Sequence, residues 1–98
     1  MSFEIVKSSL VPPAGPISQA TRVGPHVWTA QIPKDPVTGR IIPGGIEEQT
    51  ERVLQNLKLT LEGAGGGLAD VVQVTVFIVD AADAPGMNAV WQRHFSAP

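Results

Sequence analysis

Four aliphatic side chains alternate along one short stretch of this chain, Val72, Val74, Val76 and Ile78, and a helical apolar stripe lies on either side of it. A period-two run argues for a strand, and a wholly aliphatic strand face has to be covered by another layer. Upstream, Ile46, Val53, Leu54, Leu57 and Leu61 fall on one side of a helix; downstream, Met87, Val90, Trp91, His94 and Phe95 do the same. Two stripes of this width match one strand face. The pattern therefore predicts an α+β fold, a mixed β-sheet with the helices Ile46–Leu61 and Pro85–Phe95 on one face. The opposite side of the strand Val71–Val79 carries Val71, Gln73, Thr75, Phe77 and Val79, which is too apolar for open water along its whole length and asks for partial cover by a partner.

The remaining elements follow from punctuation. Phe3 to Lys7 alternates and reads as a short strand. Val11 to Pro16 is a loop, because its prolines remove backbone donors. Ser18–Val23 and His26–Ile32 read as strands joined in a hairpin at Gly24-Pro25. Asp35-Pro36 and Thr38-Gly39 make the segment from Pro33 to Pro43 a surface loop with a tight turn. Gly45 serves as N-cap of the first helix, with Glu47 and Glu48 in its first turn, Lys58 near its end and Glu48–Arg52 as an i,i+4 pair. The glycine run from position 63 to 67 stops that helix. Asp80 or Asp83 caps the second, with Pro85 tolerated in its first turn.

Composition narrows the function. The 98 residues suffice for one domain, 1–98, with little stability margin, so oligomerisation would help. Charged residues are 16% of the chain, which leaves surface for subunit contacts. The net charge is −2 and the basic residues are scattered, so a nucleic-acid backbone finds no stripe to bind. The chain has no cysteine, which excludes disulfides, thiolate catalysis and cysteine-ligated metal and suits a cytoplasmic location. No apolar run is long enough to span a membrane, and the N-terminus is not a secretory signal.

The usual chemical motifs are missing. His26 and His94 have no ligand-spaced companion, so no metal site is expected; His94, on the apolar stripe, reads as a packed histidine with one hydrogen bond. Ser18 has no histidine base in its vicinity and no Gly-x-Ser-x-Gly elbow around it. The glycine run follows a helix and lacks a trailing Lys-Ser or Lys-Thr, so it is no phosphate loop.

Four segments act in combination: Gly15-Pro16-Ile17-Ser18-Gln19-Ala20, Thr29-Ala30-Gln31-Ile32-Pro33, Gly44-Gly45-Ile46-Glu47-Glu48-Gln49-Thr50 and Val74-Thr75-Val76-Phe77. In this order and at these spacings the chain resembles the YjgF/RidA family, the reactive-intermediate deaminases also described as endoribonuclease L-PSP. The resemblance runs from about Phe3 to Phe95. It implies the fold shared with small trimeric chorismate mutases, a homotrimer with pockets between subunits, and no cofactor. It further implies hydrolysis of a 2-imino acid to a 2-keto acid and ammonia, the activity of a 2-iminobutanoate/2-iminopropanoate deaminase. By position, the substrate-binding residues would be Ile17 (where the family has a tyrosine), Thr29 (a serine), Ala30 (a glycine) and Asn88, with Trp91 in place of a common tyrosine. The arginine that grips the substrate carboxylate and the glutamate that orients water have no counterpart in the 98 residues, and the domain is C-terminally incomplete relative to the family. Weak turnover is therefore expected, with a non-catalytic ligand-binding or regulatory trimer as the alternative; a ribonuclease fits the acidic charge poorly.

Overall fold

The computed structural model describes residues 4–13 and 20–95. Three short strands form an antiparallel sheet in the order β1 (Glu4–Ile5), β2 (Ala20–Val23), β3 (His26–Thr29). The expected hairpin is present: Val23 pairs with His26 and Ala20 with Thr29. Its two-residue turn is possible because Gly24 adopts φ +58°, a left-handed value that side-chain-bearing residues rarely take. β1 adds outside β2, with Glu4 opposite Arg22.

The loop from Pro33 to Pro43 folds back on itself. Lys34 and Ile41 form an isolated antiparallel bridge, and the Asp35 carboxylate accepts from the Val37 and Thr38 amides, both at 2.8 Å. This is the tight turn that Asp35-Pro36 announced. Helix α1 (Ile46–Gly63) follows, with Gly45 as N-cap. It runs two residues beyond the expected Leu61, so Lys58 is not in its last turn. The Glu48 carboxylate accepts from the Gly45 amide at 3.0 Å, and Arg52 donates to Asn56; these bonds replace the expected Glu48–Arg52 pair.

The side chain of Asp80 accepts from the Ala82 amide and caps a single 3₁₀ turn, Ala81–Asp83, which leads into α2 (Ala84–His94) with Pro85 in the first turn. The two helices pack as one layer. Leu54, Leu57 and Val90 form the buried centre; Leu61, Leu68, Val71, Trp91 and Phe95 pack around it. Trp91 and Phe95 stack at 4.7 Å. Gly86 lets the helices approach: a Cβ there would lie 2.7 Å from the Ile46 side chain.

The α+β architecture is as expected, but the sheet among the described residues is antiparallel rather than mixed, and one expected strand is missing. Val71–Val79 is not a strand. Among the described residues, 72–79 make no backbone–backbone hydrogen bond, and the chain runs there without a ladder. Val72, Val74 and Val76 are exposed rather than covered, and only Ile78 of the four is half-buried. The alternation is real, but alternation marks a surface that suits a sheet; a strand exists only when a neighbour supplies the other half of its hydrogen bonds.

Two measurements test this packing. Leu54→Ala removes a side chain that is 1% exposed and should cost about 2–5 kcal/mol in urea unfolding, with unchanged m-value. In hydrogen exchange, the amides of residues 72–78 should exchange far faster than those of 50–60; equal protection would contradict the unladdered segment.

Candidate functional site

Of the four expected site residues, two are adjacent. Thr29 ends β3 and is half-buried; Ala30 follows it and is exposed. Asn88 is exposed in the first half of α2, and no hydrogen bond joins it to Thr29 among the described residues. Ile17 lies outside the described residues.

What holds Thr29 is a contact that the sequence reading did not single out. The Gln31 side-chain amide donates to Thr29 Oγ1 at 2.8 Å and to Thr60 Oγ1 at 3.0 Å. Thr60 is fully buried on α1, so the end of β3 is pinned to the helix through two hydroxyls and one amide. One turn earlier, Asn56, also fully buried, donates to the carbonyls of Ile32 (3.2 Å) and Lys34 (2.8 Å) and accepts from Arg52 Nε (3.1 Å). The loop after Gln31 is thereby fastened to the same helix. The signal was available: Thr50 and Thr60 fall in register with Val53 and Leu57, and Gln31 stands two residues from Thr29, on the same side of an extended chain.

A mostly apolar cleft of about 140 Å³ lies between Ile46 and Val53 of α1, Met87 and Trp91 of α2, and residues Val76 and Ile78. None of Thr29, Ala30 and Asn88 lines it. Among the described residues no cluster of histidine, aspartate or glutamate could hold a metal ion, and no helix is long and apolar enough to cross a membrane.

The charged groups are mostly committed to structure. Arg22 donates to the Ala64 carbonyl beyond α1, and the buried Lys34 ammonium donates to the Val11 carbonyl at 3.1 Å. His94 makes the single strong contact expected of it: its Nε2 lies 2.9 Å from each carboxylate oxygen of Glu51, tying the end of α2 to α1. The Gln55 amide and then His94 hold the Glu51 carboxyl below the usual glutamate range, because both bond to its charged form. Asp35 is lowered too, chiefly by the Thr38 and Val37 amides.

A three-stranded antiparallel sheet backed by two helices, with threonine and asparagine as the polar groups of its expected site, defines a small α+β domain without a resident metal cluster among its described residues. The endoribonuclease L-PSP family matches residues 8–98, and the chain belongs to that family, the YjgF/RidA family of the sequence comparison. A RutC family protein of Pyrococcus abyssi is 47% identical over 97 residues, covering 97% of this chain and 76% of the relative. The 2-iminobutanoate/2-iminopropanoate deaminase of Dermatophagoides farinae is 34% identical, covering 96% and 75%. A crystal structure from Thermotoga maritima superposes with a TM-score of 0.87 at 47% identity, over 94% of this chain and 74% of that one.

The Glu51–His94 contact between the helices has a measurable signature. The folded Glu51 carboxyl titrates below its ordinary value of 4.5, so its stabilisation is present above that pH and is lost as pH falls through the lower, folded value. Urea midpoints measured from pH 6 to pH 3 should show wild type above Glu51→Gln at pH 6, with the difference shrinking in acid; a constant difference would contradict the assignment.

Proposed function

We propose that this chain handles small 2-imino and 2-keto acids in the manner of a YjgF/RidA deaminase, with pockets formed between the subunits of a homotrimer. The observation that carries the reading is the match along nearly the whole chain, together with a 34%-identical relative named for 2-iminobutanoate and 2-iminopropanoate. The reaction adds water across the C=N bond of the imino acid and expels ammonia, leaving the 2-keto acid. It requires positioned hydrogen bonds rather than a metal or an organic group. In this assignment Thr29 hydrogen-bonds the substrate, Ala30 and Ile17 form the wall, and Asn88 adds a polar contact.

The placement of these groups favours an assembly. Thr29 is half-buried at the end of β3, and Asn88 is exposed on a separate element, α2. Val72, Val74, Val76, Phe77 and Val79 add an exposed apolar surface to the same molecule. A second subunit that covered such a surface could bring the polar groups of two chains to one cleft.

The arginines explain why turnover should be weak. Arg22 is bonded to Ala64 and Arg52 to Asn56, Arg93 lies near Glu51 at the end of α2, and Arg40 is exposed on the turn loop. None pairs with Thr29 or Asn88, so no charged fork is in place to hold a substrate carboxylate. A non-catalytic trimer that binds the same acids is the second reading, favoured by Arg22 and Arg52 being bonded elsewhere.

The test is ammonia release from 2-aminoacrylate generated in situ by a dehydratase. A form extended through the family's arginine should turn over, and the 98-residue form should be slower by roughly 30-fold to several-thousand-fold. That range corresponds to about 2–5 kcal/mol for an unmade charged hydrogen bond. Equal rates would refute the carboxylate argument, and an inactive extended form would favour the binding reading. Light scattering should give a trimer at micromolar concentration; a monomer would remove the inter-subunit pocket.

A further inference from the structure

The cleft between the helices has no part in the proposed site, and its walls are not uniform. Helix α1 contributes Ile46, Gln49, Thr50 and Val53, which share one face of the helix, and α2 contributes Met87 and Trp91. Residues 76–78 form the third wall. Two polar groups interrupt this apolar lining. Thr50 is 8% exposed, and its hydroxyl has no hydrogen-bond partner among the described residues. No fully enclosed polar side-chain atom is left unpaired among those residues, so the Thr50 oxygen keeps a small access, and the cleft is the opening beside it. Gln49 donates from its amide nitrogen to the Ile42 carbonyl at 3.3 Å, and its amide oxygen has no partner among the described residues. A nearly buried hydroxyl without a partner is uncommon, and it costs free energy until something bonds it.

We propose that this cleft binds a small uncharged molecule, about the size of a benzene ring, that carries one hydroxyl or amide group. Size sets the first limit. The cleft measures about 140 Å³, and an apolar cavity of about 150 Å³ takes one benzene molecule. Charge sets the second. No charged side chain lines the cleft, so a carboxylate would lose its hydration there without gaining an ionic partner. The 2-keto acids of the proposed site are therefore not its ligands. Polarity sets the third. The Thr50 hydroxyl donates to an oxygen of the ligand, and Gln49 Oε1 accepts the ligand's hydrogen. Such a ligand touches α1, α2 and residues 76–78 at once. It leaves Val72 and Val79, which do not line the cleft, for protein cover.

Phenol is the probe, with benzene and 2-oxobutanoate as controls. The readout is the methyl signal of Met87 in protein carrying ¹³C-methyl methionine; Met1 is the other methionine, and Met87→Leu tells the two signals apart. Phenol is uncharged at about pH 7 and should shift the Met87 signal with a dissociation constant on the order of 1 mM. Thr50→Val keeps the side-chain shape and removes the hydroxyl, so it should weaken phenol about fivefold and leave benzene unchanged. 2-Oxobutanoate should not move the signal. The absence of a saturable phenol shift at tens of millimolar would overturn the inference, and so would unchanged phenol binding in Thr50→Val. A Thr50→Val defect of equal size for benzene would mark an altered cleft shape rather than a lost hydrogen bond, and would overturn it too. A Met87 shift from 2-oxobutanoate at the same concentrations would remove the uncharged class and the inference with it. Phenol affinity that falls as protein concentration rises would mean that a second copy fills the cleft, which also overturns the proposal. If Thr50→Val does not fold, Gln49→Leu takes its place with the same expectation for the two ligands.

Discussion

The fold is organised around one buried amide. Asn56 is fully enclosed on α1, and three bonds reach it: it donates to the Ile32 and Lys34 carbonyls and accepts from Arg52. These carbonyls belong to a loop without a regular ladder, where a buried backbone acceptor has to find a partner. Removing the amide would take the donor from the Lys34 carbonyl, whereas the Ile32 carbonyl would keep its bond from the Lys34 amide. The loop in turn fixes the exit of β3, and the Gln31 bridge to Thr60 fixes its last residue. One helix therefore serves two layers by two kinds of force. Leu54 and Leu57 hold α2 through apolar burial, while Asn56 and Thr60 hold the hairpin and loop through directed hydrogen bonds.

This division explains what could be read from the sequence. Leu54, Leu57 and Val90 were legible because apolar burial leaves a periodic mark, and each lies on its expected stripe. The hairpin was legible because Gly24-Pro25 is local chemistry. Asn56 was not, and Thr60 left only its register with Val53 and Leu57, which does not name its partner. A polar side chain on a helix reads as solvent-facing unless its partner is known, and here the partners are a loop carbonyl 22 residues away and a glutamine 29 residues away. The expected site divides in the same way. Thr29 and Ala30 followed from a short motif, while the amide that ties Thr29 to α1 depends on a contact between distant elements.

The segment 71–79 shows the opposite failure, in which a strong local signal lacks its tertiary partner. Its alternation is as regular as any in the chain, yet Val72 and Phe77 are more than nine-tenths exposed. Burying one large aliphatic or aromatic side chain is worth about 1.5–3 kcal/mol, so the exposed row represents a large unused driving force. Its backbone is equally unspent, since residues 72–79 make no backbone–backbone hydrogen bond among the described residues. A small apolar molecule could cover the side chains but could not satisfy a row of amides and carbonyls. Polypeptide can do both, which is why the pattern argues for protein cover of this surface.

That requirement bears on the site as well as the fold. The polar groups assigned to substrate are few: one threonine hydroxyl with its amide, and one asparagine on another element. A site so sparsely equipped within a single chain gains its chemistry from what is placed against it. The helix layer is tied to Thr29 through Gln31 and Thr60, and the exposed apolar segment would supply a drive for the proposed association. In the proposed site, the end of β3 is fixed inside the subunit, and enclosure and charge recognition would come from protein packed on residues 72–79. Changes along Val72–Val79 should therefore act through the proposed assembly and depend on protein concentration, whereas changes at Gln31 or Thr60 act within one chain and should not.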